Sequence, residues 1–270
     1  MTSSFDPVRQ AAADALSAGR PAMLIEVTQA QGSVPRQPGT RMLVSADTTV
    51  GTVGGGHLEL QAIARARALL ADAGGGADHE QHYALGPSLG QCCGGALTLR
   101  TRALDAPSLA QWPEVEPLIR LQLYGAGHVG RAIARLLAHI PCQVQWIDER
   151  EAEFPAEPPP PHIQRVCADA VQGEVASARP GSFYLVLTHS HDLDLAITHA
   201  ILQRADFAYL GLIGSATKRA RFVHRLEARG IAPALTARIT CPIGLPGIAG
   251  KAPAVIAVAV VAQLLMAAGG

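Results

Sequence analysis

The segment LQLYGAGHVGRAIARLLA (residues 121–138) constrains the fold more than any other stretch of this chain. An apolar run leads into Gly125, and the spacing Gly125, Gly127, Gly130 opens directly into an amphipathic helical pattern. In such a strand–loop–helix the first glycine permits a tight turn. The second lets backbone approach a pyrophosphate, and the third lets the helix pack on the sheet. The helix start adds unpaired N–H groups and the positive end of a dipole. Asp148 closes the next apolar run, where a carboxylate accepts a ribose hydroxyl in dinucleotide-binding folds.

The pattern around this segment agrees with it. Strands are expected at 121–124, 142–147, 163–166, 183–188, 207–213 and 238–241, and helices at 128–138, 192–204, 216–228 and 253–267. Alternation of this kind predicts a parallel, doubly wound, Rossmann-like sheet. Upstream, helices are expected at 7–18 and 57–70, the second ended by Gly74-Gly75-Gly76, with strands at 23–29, 41–45, 82–85 and 96–100. Residues 105–117 lose their period and gain prolines, as an interdomain linker does. The expected class is therefore α/β: a smaller N-terminal α/β domain at 1–105, a linker at 106–117, and the Rossmann-like domain at 118–270. The run EPPPPH (157–162) reads as a stiff surface loop.

Composition removes several functions. Twenty-two basic against 22 acidic residues leave no excess charge for a nucleic-acid surface. The five cysteines, at 92, 93, 142, 167 and 241, are not a secreted disulfide framework, and the opening MTSSFDPVRQ lacks the regions of a signal peptide. A cytoplasmic protein is expected. The apolar run 252–268 falls short of the ~20 residues a membrane span needs and is interrupted by Gln263, so it reads as a buried helix.

Four loops carry residue types suited to chemistry. In TVGGGHLE, Gly54, Gly55 and Gly56 precede a helix and form either a concave set of N–H donors for an anion or a plain tight turn; Arg36 and Arg41 add charge, and His57 is a ligand or a neighbour of the cap. In GQCCGG, Cys92 and Cys93 sit among glycines, either as accessible thiols able to bind a soft metal or carry sulfur, or as an incidental small pair. In THSHDLD, His189, His191, Asp192 and Asp194 follow a strand, where ligands of any sort bind; Asp192 also suits a helix cap. In LIGSATKRARF, Gly214 and Ser215 start a helix beside Lys218, Arg219 and Arg221, and Cys241, Pro242 and Gly244 reach the same rim. Cys142 lies inside a strand and reads as core.

The ordered set GSVPRQPGTRMLV, GTVGGGHLE, GQCCGG, YGAGHVG, THSHDLD, GLIGSATKRARF and CPIGLPG resembles the XdhC/CoxI family, the xanthine dehydrogenase accessory factors. The resemblance implies a chaperone, with no catalytic residue of its own, that binds molybdenum cofactor (molybdopterin). It would support sulfuration of that cofactor with a cysteine desulfurase and its insertion into apo xanthine dehydrogenase. On that view Gly54 to Gly56 with Arg36 hold phosphate and Cys93, with Cys92 second, faces the metal. Two departures stand out. His57 occupies a place that is cysteine in many relatives, and Val255 and Gln263 stand where the family usually has acids. A homodimer is compatible with this reading. The rival from a different class is an NAD(P)-dependent oxidoreductase, supported by the dinucleotide fingerprint but lacking an evident acid/base pair.

Overall fold

The computed structural model describes residues 5–72, 78–85, 94–113 and 115–269. The chain divides into two units, one of Asp6–Glu114 and one of Val115–Gly270 together with Phe5.

In the N-terminal unit, α1 (Pro7–Ser17), α2 (Gly56–Ala71) and α3 (Ala106–Ala110) accompany β1 (Met23–Gln31), β2 (Arg41–Val44), β3 (Thr49–Gly51), β4 (His79–Ala84) and β5 (Ala96–Ala103). The strands lie in the order β3-β2-β1-β5-β4, each neighbouring pair antiparallel. Period-two alternation sends Met23, Ile25 and Val27 of β1 to one face, where they pack with Leu58, Ala62 and Ala66 of α2. Leu24 and Leu43 point to the other face and meet Val8 and Ala12 of α1. Three residues are too short a run to show alternation, which is why β3 has no sequence signal.

The stretch expected to be a linker is partly built into this unit. Asp105 caps α3 reciprocally with Ser108, and Pro107 falls in the first turn, where a helix tolerates proline. Trp112, only 5% exposed, donates from Nε1 to Asp6 Oδ2 at 3.0 Å, while Asp6 Oδ1 caps α1.

The C-terminal unit contains β6 (Ile119–Tyr124), α4 (His128–Leu137), β7 (Cys142–Asp148), β8 (Ile163–Cys167), β9 (Phe183–Val186), α5 (His191–Arg204), β10 (Tyr209–Leu212), α6 (Ala216–Glu227), α7 (Pro233–Thr236), β11 (Ile239–Thr240) and α8 (Pro253–Ala268). The sheet order is β11-β10-β9-β6-β7-β8 and all pairs are parallel. The order reverses between β6 and β9, so the carboxyl ends of those two strands form the topological switch point. One face carries Leu121, Leu123, Val144 and Trp146 against α4 and α8; the other carries Tyr124, Ile147, Tyr184 and Val186 against α5 and α6. Between β7 and β8, and between β8 and β9, the chain makes only 3-10 turns at Glu151–Glu153 and Val171–Ser177. The proline run 158–161 cannot supply helical hydrogen bonds, which accounts for the first.

Helix α8 is half buried: Ala257, Val260 and Leu264 join the core, while Val258 and Met266 are 51% and 66% exposed. No helix among the described residues is long and apolar enough to cross a membrane. Gln263 explains one departure from the family pattern. Its Oε1 accepts from Gly244 N at 2.9 Å and Tyr209 Oη at 2.7 Å, and its Nε2 donates to Gly244 O at 3.2 Å. A glutamate could not make the last of these bonds, because an ionised carboxylate has no donor.

Candidate functional site

At the carboxyl edge of the C-terminal sheet the three fingerprint glycines do different work. Gly125 has φ +119° and an added Cβ would collide with Leu187 O; at Gly130 it would collide with Gly125 O. Those two glycines exist for packing. Gly127, the N-cap of α4, has open space around the Cβ position and makes no side-chain cap. The loop is braced by Trp146 Nε1, which donates to Gly125 O at 3.0 Å, and by Arg131 Nε, which donates to Ala126 O at 2.9 Å.

Asp148, expected to receive a ribose, is already engaged. Its Oδ2 accepts from Ala126 N (2.6 Å) and Arg150 Nη2 (3.0 Å), and its Oδ1 from Arg150 N (2.9 Å) and Arg150 Nε (3.0 Å). A carboxylate offers about four acceptor positions, so none is left for a hydroxyl. Burial opposes ionisation of Asp148, yet the hydrogen bonds from Arg150 and from Ala126 N hold its pKa below the ordinary carboxylate value. A carboxyl whose pKa is depressed by folding stabilises the fold above its unfolded pKa of about 3.9 and loses that contribution as pH falls through the folded value. Removing the guanidinium raises the folded value. Arg150→Gln should therefore shift the acid-unfolding midpoint of the C-terminal unit upward, followed by intrinsic fluorescence against pH; an unmoved midpoint would remove Arg150 from this account.

The next two loops on the same edge are tied together by an ion pair. Asp194 is fully buried and accepts from Thr188 N (2.9 Å), Thr188 Oγ1 (2.7 Å) and Lys218 Nζ (2.6 Å). Lys218 Nζ also donates to Ile213 O at 2.8 Å, and an added Cβ at Gly214, whose φ is +159°, would strike the Lys218 side chain. Ser190 and Ser215, not Asp192, cap α5 and α6. The ligand set read in THSHDLD does not assemble. Asp194 is inside the ion pair, His191 lies on the exposed first turn of α5, and His189 approaches Glu149 at 3.5 Å. Among the described residues no three His, Cys, Asp or Glu side chains are placed to hold a metal ion. Cys241 reaches Ser215 O at 3.7 Å, and burial pushes its thiol pKa up although Lys218 and Arg219 oppose this.

In the N-terminal unit three motifs distant in sequence meet at one end of the sheet. The Cβ position of Gly54 faces Pro35 Cγ at 2.7 Å, so the Gly54–Gly56 turn abuts the loop that carries Arg36. A Cβ added at Gly95 would lie 2.5 Å from Gln31 O and 2.8 Å from Val34 Cγ1, so only glycine fits there. Cys92 and Cys93 lie outside the described residues; the chain continues from Cys93 into Gly94 and this Gly95 contact. Arg36 and His57 are exposed, and His57 Nε2 lies 2.9 Å from Gln61 Nε2.

The expected anion cradle at Gly54–Gly56 is occupied from within. Glu59 Oε2 accepts from Val53 N and Gly55 N, each at 3.1 Å, and from Thr52 Oγ1, while Gly54 N donates to Thr52 Oγ1 at 3.2 Å. A helix N-terminus favours a negative charge, and a glutamate in the first turn supplies it. Arg41, read as a second cation for that cradle, pairs with Glu26 at 2.6 Å and lies over Trp112 at 4.7 Å. Sequence reasoning missed three features: Glu59 turning back, Asp148 with Arg150, and Asp194 with Lys218. The first two had signals, an acid in the first turn of a helix and an i,i+2 pair leaving a strand on one face.

The XdhC Rossmann domain family matches residues 121–264, and the XdhC and CoxI family matches residues 15–83. The uncharacterized protein YqeB of Escherichia coli K12 is 30% identical over 249 residues, which cover 91% of this chain and 43% of that protein, so the chain spans less than half of that relative. A crystal structure described as a xanthine dehydrogenase from Bacillus halodurans superposes with a TM-score of 0.73 at 18% identity, covering 97% of this chain and 96% of that one. At that identity the likeness concerns the fold.

Proposed function

Since the chain belongs to the XdhC and CoxI family, we propose that it is an accessory protein of a xanthine dehydrogenase-type molybdoenzyme, one that holds molybdenum cofactor during sulfuration and insertion. The observation that carries this reading is the meeting of the Arg36 loop, the His57 helix start and the Gly94–Gly95 end of the cysteine loop at one end of the N-terminal sheet. Molybdopterin is anionic at its phosphate and soft at its dithiolene and metal, so it suits a guanidinium and an imidazole beside thiolates. The glycine turn is already filled by Glu59. Arg36 and His57 would therefore hold the phosphate in its place, and Cys93, with Cys92 second, would face the metal. When bound, the cofactor supplies a molybdenum centre able to carry a terminal sulfur. Apo xanthine dehydrogenase and a cysteine desulfurase are the proposed partners, in the cytoplasm.

The oxidoreductase reading draws on the glycine fingerprint, but the engaged carboxylate of Asp148 gives it less support. The deciding experiment purifies the protein from hosts with and without a working molybdopterin pathway and assays molybdenum and oxidised-pterin fluorescence. Both should co-purify from the competent host alone; their absence, with NAD(P)H bound instead, would sink the chaperone reading. Cys93→Ala should lower cofactor retention several-fold, whereas Cys142→Ala should not. Cys142 is buried, and its thiol pKa is pushed up to about 12, so it stays protonated and inert. Equal retention by the two variants would take the thiolate out of the site.

A further inference from the structure

The C-terminal sheet has a second polar feature, at its amino end and on the face opposite α4. On that face the carboxyl halves of β6 and β7 present Tyr124 and Ile147 to an apolar core. Their amino halves present glutamines and an arginine, with Arg120 beside Gln143 and Gln122 beside Gln145 in the parallel register. A longer helix between β8 and β9 would cover this surface. Here the chain supplies only the turn Val171–Ser177, and a cavity of about 150 Å³ remains, walled by Arg120, Arg179, Gln143, Gln145, Ser177 and Ser182.

The wall is rich in donors and carries no carboxylate. Gln122, 2% exposed, forms the floor: its Nε2 donates to Gln145 Oε1 and Glu174 O, each at 2.8 Å, with Ser177 Oγ 3.2 Å away, and the Gln145 amide is thereby turned so that its own N–H groups have no partner among the described residues. Arg120 Nη2 pairs with the exposed Glu116, but Arg120 Nε is buried and has no hydrogen-bond partner among the described residues. The Arg179 side chain makes no ion pair or hydrogen bond among the described residues. Two guanidiniums and amide donors around a small space, one buried donor unsatisfied, call for an acceptor-only partner with fixed oxygens.

We propose that this cavity is a binding site for a small oxyanion, a phosphate or carboxylate group held by Arg120 and Arg179. It lies at the end of the sheet away from the glycine-rich loop, so it is independent of the cofactor role and of any nucleotide at the switch point. The test is calorimetric titration of the full chain with inorganic phosphate and, separately, with succinate, at constant ionic strength set by sodium chloride. At least one of the two should bind with one-to-one stoichiometry, and the stronger identifies the oxyanion class. Arg179→Gln, an exposed position that leaves the core untouched, should weaken that binding about tenfold or more, as loss of a charge-assisted hydrogen bond does. Arg120→Gln should do the same. Absence of binding by both anions to the parent protein, or undiminished binding to a folded Arg179→Gln protein, would overturn the proposal.

Discussion

Gly130→Ala should prevent the C-terminal unit from reaching a stable native state, whereas Gly127→Ala, three residues earlier in the same motif, should be nearly silent. An added methyl at Gly130 would lie against the carbonyl of Gly125, which cannot rotate away because it also accepts from Trp146 Nε1. Overpacking against movable side chains costs about 1–3 kcal/mol, and a fixed carbonyl places this substitution at or above the top of that range. Gly125→Ala should be as severe, combining collision with Leu187 O and a φ of +119°. At Gly127, φ is −67° and nothing lies within 4 Å of the Cβ position, so the cost should stay within about 1 kcal/mol, the difference between glycine and alanine at an N-cap. Urea unfolding and soluble yield measure all three. A Gly130→Ala protein as stable as the parent would mean the loop can be rearranged cheaply. Because the glycines that fail are those required by packing, this result would also show that the motif persists here without implying a dinucleotide.

The second large effect is expected at Asp194 and Lys218. Their side chains are 0% and 9% exposed, and the bond between them joins the first turn of α5, after β9, to α6, after β10. Removing one partner of a buried pair strands the other charge, at about 3–5 kcal/mol. Against a typical domain stability of about 5–15 kcal/mol, Lys218→Met should remove a large fraction of the whole. The double variant Asp194→Asn with Lys218→Met should recover part of the loss, because the stranded carboxylate is then gone, and denaturant unfolding of the four proteins of the cycle gives the coupling directly. Additive losses would show that the pair is not coupled and that the loops are held by Thr188 and Ser190 alone.

How far the candidate sites could be read from sequence depended on the range of each interaction. The strand–glycine–helix unit at 121–138 was readable because its parts are contiguous. The same holds for the helix start at Gly56 and for Ser215 as a cap. Glu59 filling the glycine turn and Arg150 gripping Asp148 are also local, yet a list of residue types shows a cradle and a carboxylate as available when both are in use. Asp194 and Lys218 are 24 residues apart, with strand β10 between them, and no local pattern marks them as partners. Residues 106–112 were obscured for another reason: prolines that break periodicity are compatible with a first helical turn, and only the buried Trp112 shows to which unit the segment belongs.

By itself the sequence determined the class of this protein: a glycine-fingerprint parallel domain after a smaller unit, with ordered loops that place it in the XdhC and CoxI family. The architecture follows from period and spacing, which the backbone converts directly into strands, helices and turns; the family follows from the resemblance of the ordered motifs. The tertiary structure alone decided which polar groups remain free to meet a ligand. A carboxylate or an N–H has only a few hydrogen-bonding positions, and folding had filled those of Asp148, Asp194, Val53 and Gly55. At the amino end of the parallel sheet it left Arg120 Nε buried and, among the described residues, unsatisfied beside an open cavity, where no sequence motif pointed.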